Sequence, residues 1–380
     1  MKIIQINSSF GIGGVESMIV QLCNTLNSKF TTVICPFTNE LNKANELNKK
    51  VRVRPLGFSS KQIKGWRLIF TFIVIICRLG RILKREKPDV VHIHCYFAHY
   101  IITAIAVKLY APNSVVVKTI HTSGLFYGND TIGNKMRVKV EQIATKINRT
   151  YIAAISQQVF EQATVLFRRC AIDIQLIHNG VDVSKFYKIN SKSLRSQIVE
   201  DGRLLVVYVA RMVQGKNHLF LVDMWNLLKN KYNIEASLVF VGDGEMRNEI
   251  ELKINELGLE KDIIRLGNTT NVAQILSICD VALFPSDYEG FGLVMIEKMA
   301  ASLPVIGSDI APFREIITHK ENGYIVSLSD IEGWCDQCYK LISDSSLRLK
   351  IGNAARLRSE DFTDILMAQK YEELYDKIYI

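Results

Sequence analysis

The chain has 380 residues, 48% of them hydrophobic and 22% charged, and a formal net charge of +9. This is the composition of a soluble globular protein long enough for two domains, and no internal repeat or low-complexity segment is visible. The charge is unequally divided: residues 1–185 hold 25 Lys and Arg against 10 Asp and Glu (+15), and the remainder holds 22 against 28 (−6). A basic half joined to an acidic one points to an anionic partner for the first half: a membrane surface, a nucleic acid or a phosphorylated acceptor.

Short apolar runs at 2–7, 31–35, 51–55, 90–94, 115–119, 151–155 and 175–177 predict strands, with helical spacing between most of them. The second half repeats the alternation, with strands expected at 204–209, 237–241, 263–266, 281–284, 305–307 and 324–326. Strands alternating with helices predict parallel sheets covered on both faces. We therefore expect an α/β protein of two doubly wound, Rossmann-like domains. The first covers 1–185 and is joined by a terminal helix at 362–380; the second covers 186–361. The N-terminal strand pattern lacks the apolar core and cleavage site of a signal peptide. Eight cysteines, several inside apolar runs, suit reduced core thiols of the cytosol. Cys335 and Cys338 form a single CxxC pair in a helical pattern, and no metal or redox role is expected there.

The first strand runs into Gly11-Ile12-Gly13-Gly14-Val15-Glu16. A dinucleotide fingerprint needs a third glycine where Glu16 stands, so what remains is a Gly-rich loop opening a helix, suited to close approach of a phosphate. Residues 61–87 join a basic, Trp-bearing start to a ten-residue run, apolar except for Thr71, and a basic end. The run is too short to cross a bilayer; it reads as a helix lying in a membrane interface or as a core helix with basic ends. His94 and His121 each close a strand and are expected at a carboxyl edge, His121 facing the crevice. Basic residues are dispersed and no nucleic-acid-binding motif is present, so no nucleic acid is expected as partner.

In the second half, Arg211 and Lys216 lie five residues apart on the loop after a strand, a fork and a point charge able to face one diphosphate. Gly242-Asp243-Gly244 closes the next strand. The segment Glu289-Gly290-Phe291-Gly292-Leu293 leads from a third strand into a helix that carries Glu297. The opening amides of that helix lack intrahelical acceptors and favour anions. Glu297 lies about two turns, roughly 10 Å, beyond Gly290. Carboxylates at both ends of a stretch of free N–H groups fit a ligand with two polyol ends joined by diphosphate, a sugar nucleotide. Loops after successive parallel strands converge, so Arg211, Lys216, Gly242 and Glu289 are expected at one cleft.

Together, Gly13-Gly14-Val15-Glu16, Asn179-Gly180-Val181-Asp182 with Phe186, Arg211 with Lys216, Gly242-Asp243-Gly244 and Glu289 through Glu297 resemble the family 4 retaining glycosyltransferases of the GT-B fold. The resemblance implies two facing Rossmann-like domains with a cleft between them, and a hexosyltransferase working from a nucleoside-diphosphate sugar, UDP- or GDP-linked. Arg211 and Lys216 would neutralise the diphosphate, Glu297 would hold the ribose, and Glu289 the transferred sugar. Phe291, Gly292 and Leu293 would supply amides, Gly242 would line the donor site, Gly13 and Gly14 would approach the phosphates, and His121 would sit beside the reacting sugar. It further implies transfer with retention, by front-face attack or a short-lived ion pair, without metal or other cofactor. The acceptor would be a glycan or lipid-linked species of envelope or exopolysaccharide synthesis, met in the cytoplasm or peripherally at the membrane. A GT-B epimerase or phosphorylase, or a non-catalytic basic membrane binder, are the alternatives. The chain departs from the family at Ala210 and at Asn217-His218, where glycine is commoner, and Asp287-Tyr288-Glu289 resembles the metal-binding triplet of the other glycosyltransferase fold by coincidence.

Overall fold

The computed structural model describes residues 1–11, 13–26, 30–58, 66–122, 131–187, 192–199 and 202–379. Two compact units divide the chain: 1–180 with 364–380, and 181–363. The first boundary falls five residues before the expected 185/186. Val181 is the reason, because its N–H donates to Phe362 O (2.9 Å) and it bridges Thr363, so the chain joins the second unit there. The stretch that follows contains a short helix, α6 below.

The first unit contains β1 (Lys2–Asn7), α1 (Gly14–Thr25), β2 (Thr31–Pro36), β3 (Arg52–Val53), α2 (Trp66–Glu86), β4 (Val90–Ile93), α3 (Phe97–Tyr110), β5 (Val115–Ile120), α4 (Ile132–Ile147), β6 (Tyr151–Ala154), α5 (Gln157–Phe167) and β7 (Asp173–Leu176). Its strands form one parallel sheet in the order β3-β2-β1-β4-β5-β6-β7, with Ile4 in register with Val33 on one side and Val91 on the other. Ile4, Val33, Val91 and Val116 are fully buried, as strands covered on both faces require.

The second unit contains α6 (Lys192–Ile198), β8 (Leu204–Val209), α7 (His218–Lys231), β9 (Ala236–Val241), α8 (Arg247–Glu256), β10 (Ile263–Gly267), α9 (Val272–Leu276), β11 (Val281–Phe284), α10 (Leu293–Ala300), β12 (Val305–Ser308), α11 (Ala311–Ile316), β13 (Tyr324–Val326), α12 (Ile331–Ser343) and α13 (Ser345–Ser359). Its parallel sheet runs β10-β9-β8-β11-β12-β13. Trp225 and Trp334 are fully buried in its core. The order of each sheet reverses at one point, between β1 and β4 in the first unit and between β8 and β11 in the second. There the loops at the carboxyl ends diverge and leave a crevice.

The last helix, α14 (Asp364–Tyr379), returns to the first unit. Asp364 accepts from Thr25 on α1 (2.8 Å), and Tyr371 and Tyr375 are fully buried. Helix α2 packs on the first core through Ile75, Leu79 and Leu83, while Phe70 and Ile73 stay exposed. Residues 61–65, the basic start of the segment read as either an interfacial or a core helix, lie outside the described residues, and among those described no helix is long and apolar enough to cross a membrane.

Candidate active site

Three loops at the carboxyl edge of the second sheet are tied together. After β8, the segment 211–217 turns through Gly215 (φ +82°) and Asn217 (φ +57°), the left-handed conformations a compact loop needs. Asn217 Nδ2 donates to Pro285 O (2.7 Å) and Asp287 Oδ1 (2.6 Å), and Asp287 N–H donates to Gly215 O (3.0 Å). These bonds fasten the β8 loop to the β11 loop. On its other side, Met212 N–H donates to Asp243 O (3.0 Å) and Met246 N–H to Met212 O (3.0 Å), which fastens it to the β9 loop. Gly242 and Gly244 permit this approach: a Cβ at Gly242 would lie 2.1 Å from Ala210 O, and one at Gly244 2.3 Å from Met212 O.

Lys216 therefore reaches the β11 loop and ion-pairs with Glu289, whose Oε1 also accepts from Ser286 Oγ (2.9 Å). Tyr208, buried below, donates to Lys216 O (2.6 Å) and holds that backbone in place. Arg211 is exposed on the same loop. Gly292 starts α10 at φ +118°, and Phe291 is buried, its ring 5.6 Å from that of Phe362, so the amides of Phe291, Gly292 and Leu293 are set by packing. Glu297 is half-buried on α10. Its neighbour Lys298 is fully buried, donates to Leu283 O (2.9 Å) and lies over the Phe284 ring. Burial lowers Lys298 to about 7, while the nearby charges of Glu297 and Glu289 act the other way.

The expected convergence of Arg211, Lys216, Gly242 and Glu289 is thus found on three loops of one unit, those after β9 and β11 each bonded to the one after β8. The sequence assigns Lys216 to phosphate and Glu289 to sugar, and it gives no sign that the two side chains pair with each other. It also did not single out Arg247 and Arg265, which with Gly242 and Asp243 line a small open hollow; Arg247 pairs with Asp243 and Glu251. They lie far apart in sequence with no shared spacing, so no motif flags them. Asp287 is engaged with Asn217 and Gly215. Cys335 and Cys338 are buried, their thiols pushed up by burial, Cys335 to about 11. Among the described residues no group of three His, Cys, Asp or Glu is arranged to hold a metal ion.

Gly13, Gly14 and His121 belong to the first unit. Gly13 caps α1, and Glu16 folds back across this loop, accepting from Ser9 Oγ (3.1 Å) and Asn7 Nδ2 (3.3 Å). The residue that breaks the dinucleotide fingerprint thereby places a carboxylate at the helix N-terminus, where the dipole favours it. His121 is buried at the end of β5 beside His94, and burial lowers it to about 3, so the ring is neutral.

Two doubly wound units, the second presenting a cation- and carboxylate-lined sheet edge at its switch point, define an α/β protein of the class that binds ligands beyond the carboxyl ends of its strands. The comparisons name the kind. Residues 12–185 match the model for Glycosyltransferase Family 4 and residues 190–358 that for Glycosyl transferases group 1. The chain belongs to this group of glycosyltransferases and has the GT-B fold. It is 25% identical over 307 residues to the N-acetyl-alpha-D-glucosaminyl L-malate synthase of Bacillus anthracis, covering 80% of this chain and 78% of that protein. It is 28% identical over 306 residues to the UDP-Gal:alpha-D-GlcNAc-diphosphoundecaprenol alpha-1,3-galactosyltransferase of Escherichia coli, covering 78% and 77%. The crystal structure of Anabaena HepE in complex with UDP-glucose superposes with a TM-score of 0.83 at 18% identity, over 99% of this chain and 100% of that one.

Proposed function

We propose that the protein transfers a hexose, with retention, from a UDP- or GDP-linked sugar to a glycan or lipid-linked acceptor of the cell envelope, acting without metal in the cytoplasm or peripherally at the membrane. The observation that carries this reading is the bonded set of loops that brings Arg211, Lys216 and Glu289 to one sheet edge, ahead of the α10 N-terminus. In the reaction the bond from the anomeric carbon to the diphosphate breaks and its electron pair leaves with the nucleotide, while the acceptor hydroxyl oxygen bonds that carbon on the same face and its proton passes to the departing diphosphate. Arg211 and Lys216 stabilise that growing charge, the largest aid available to such a departure. Lys216 exchanges Glu289 for phosphate oxygens, and Glu289, released, accepts from sugar hydroxyls. Glu297 takes the ribose, Gly242 and the amides of Phe291, Gly292 and Leu293 line the donor, and Gly13, Gly14 and His121 serve it from the first unit. The E. coli relative's use of a UDP-sugar and a diphosphoundecaprenol-linked acceptor supports the choice of substrates.

Support for a membrane-side acceptor comes from α4. Ile132, Met136, Val140, Ile143 and Ile147 follow a three-to-four spacing and are all exposed, with Lys135, Arg137, Lys139 and Lys146 around them. An apolar stripe flanked by cations suits an anionic interface.

The test is a thermal-shift panel of nucleoside-diphosphate sugars, followed by assay of nucleoside-diphosphate release with a lipid-diphosphate-linked acceptor. A ligand bound only by the folded state raises its stability. Failure of every UDP- and GDP-sugar to shift the melt refutes the donor assignment. A Glu297→Ala variant that turns over at the wild-type rate refutes the role of that residue.

A further inference from the structure

Behind His121 in the first unit lies a buried chain of polar groups that the transfer reaction, as described, does not use. His121 Nε2 is 3.0 Å from His94 Nδ1, and His94 Nε2 is 2.7 Å from Gln5 Oε1. The Gln5 amide nitrogen reaches Tyr375 Oη on α14 (3.5 Å), and that hydroxyl is 2.7 Å from His92 Nδ1. His92 Nε2 is 2.7 Å from Thr119 Oγ1, which meets Tyr371 Oη at 2.8 Å. Every member is at least nine-tenths buried. At the end of the chain, His121 Nδ1 is buried and has no hydrogen-bond partner among the described residues.

We propose that Gln5 and His94 are positioning residues that fix the tautomer of His121, so that its Nδ1 offers a bare lone pair to a hydroxyl of the donor sugar. The use of that lone pair rests on the functional reading above; the tautomer itself does not. The direction follows from what each atom can do. A carbonyl oxygen only accepts, so His94 Nε2 carries the hydrogen, and in a neutral ring His94 Nδ1 is then an acceptor. His121 Nε2 must donate to it, which leaves His121 Nδ1 unprotonated. Burial keeps all three imidazoles neutral, so each has one hydrogen to place.

Turning the Gln5 amide over would reverse every bond and leave an N–H at His121 Nδ1 with no acceptor. An orphaned buried N–H is rarer than an unsatisfied lone pair, and that decides the direction. A sugar hydroxyl, which can donate, then completes the chain. The return of α14 to the first unit brings Tyr375 into the chain, where its hydroxyl can take either role, accepting from Gln5 Nε2 in the orientation that the His121 end selects.

The experiment is 15N NMR of the full chain labelled at histidine, at neutral pH, with the His121→Phe spectrum used to identify the His121 signals. We expect a protonated Nε2 and a bare Nδ1; a proton on Nδ1 overturns the proposal. Gln5→Met, of similar volume but without either hydrogen-bonding group, should mix the His121 tautomers and lower kcat about tenfold to a hundredfold with the melt retained. Gln5→Glu, which still accepts from His94, should restore both the tautomer and most of kcat. A folded Gln5→Met with wild-type kcat also overturns the proposal, and if that variant fails to fold, the wild-type spectrum decides. A protein that transfers no sugar but shows the expected tautomer sinks the functional reading alone.

Discussion

Gly242 is the position where a single methyl group should do most harm. A Cβ there would lie 2.1 Å from Ala210 O and 2.9 Å from Ala210 C, on backbone at φ +130°. An unforced carbon–oxygen contact needs about 3.3 Å, so more than an ångström must be found by moving backbone. Neither side is free to yield: Ala210 N–H donates to Val241 O (3.0 Å) and Met212 N–H to Asp243 O (3.0 Å). Gly242→Ala therefore combines strain with the loss of one or two backbone hydrogen bonds, about 3–5 kcal/mol in all. For a unit of this size that lowers Tm by roughly 6–20 °C. The same shift displaces the loop that carries Arg211 and Lys216, so affinity for the donor should fall with it. Gly133→Ala in the first turn of α4 is the control, since a Cβ there meets nothing within 4 Å and alanine favours helix. Thermal denaturation of both variants, with and without donor, reads the difference. If Gly242→Ala melts and binds as the wild type does, the close packing of the β8 and β9 loops has been misjudged.

Lys216→Met should lower kcat about a hundredfold to a thousandfold. It should barely change Tm, because its pair with Glu289 is partly exposed and such pairs add little stability; steady-state kinetics beside a melt separates the two effects. Lys118, buried on β5, donates to Glu141 on α4 (2.7 Å) and lies over the Tyr100 ring. Lys118→Met removes the cation beside a buried carboxylate and should cost about 3–5 kcal/mol, whereas Lys118→Met with Glu141→Leu recovers most of it; additive losses in urea unfolding would refute the coupling. Burial lowers Lys298 from 10.5 to about 7, so between those values the unfolded chain binds more protons than the native one. Stability then rises with pH across that window, and the penalty is complete below it. Lys298→Met should abolish that rise, and a wild-type-minus-variant difference flat with pH would count against it.

The alternation of apolar runs with helical spacing was enough to read two parallel α/β sheets, because strands buried on both faces are nearly all apolar and need no partner to be recognised. The loop residues after β8, β9 and β11 were legible for a related reason. In a parallel sheet every carboxyl end points to the same edge, so chain order alone says that Arg211, Gly242 and Glu289 approach one another. The unit boundary was not legible to the residue, since Val181 joins the second unit through a backbone bond to Phe362, and backbone bonds leave no mark on residue type. Nor was the pairing of Lys216 with Glu289, which depends on the left-handed turn at Asn217, nor the exposed stripe of α4, whose spacing is that of any amphipathic helix until its neighbours are known. The histidine chain shows the division most clearly. His92, His94 and His121 could be placed on strands from sequence, but Gln5 and Tyr375 lie 370 residues apart, and only the return of α14 brings them together. Local patterns determine which elements form and which way their ends face. The state of a buried proton is set by whichever groups the completed core places within hydrogen-bonding distance, and that is decided by tertiary structure alone.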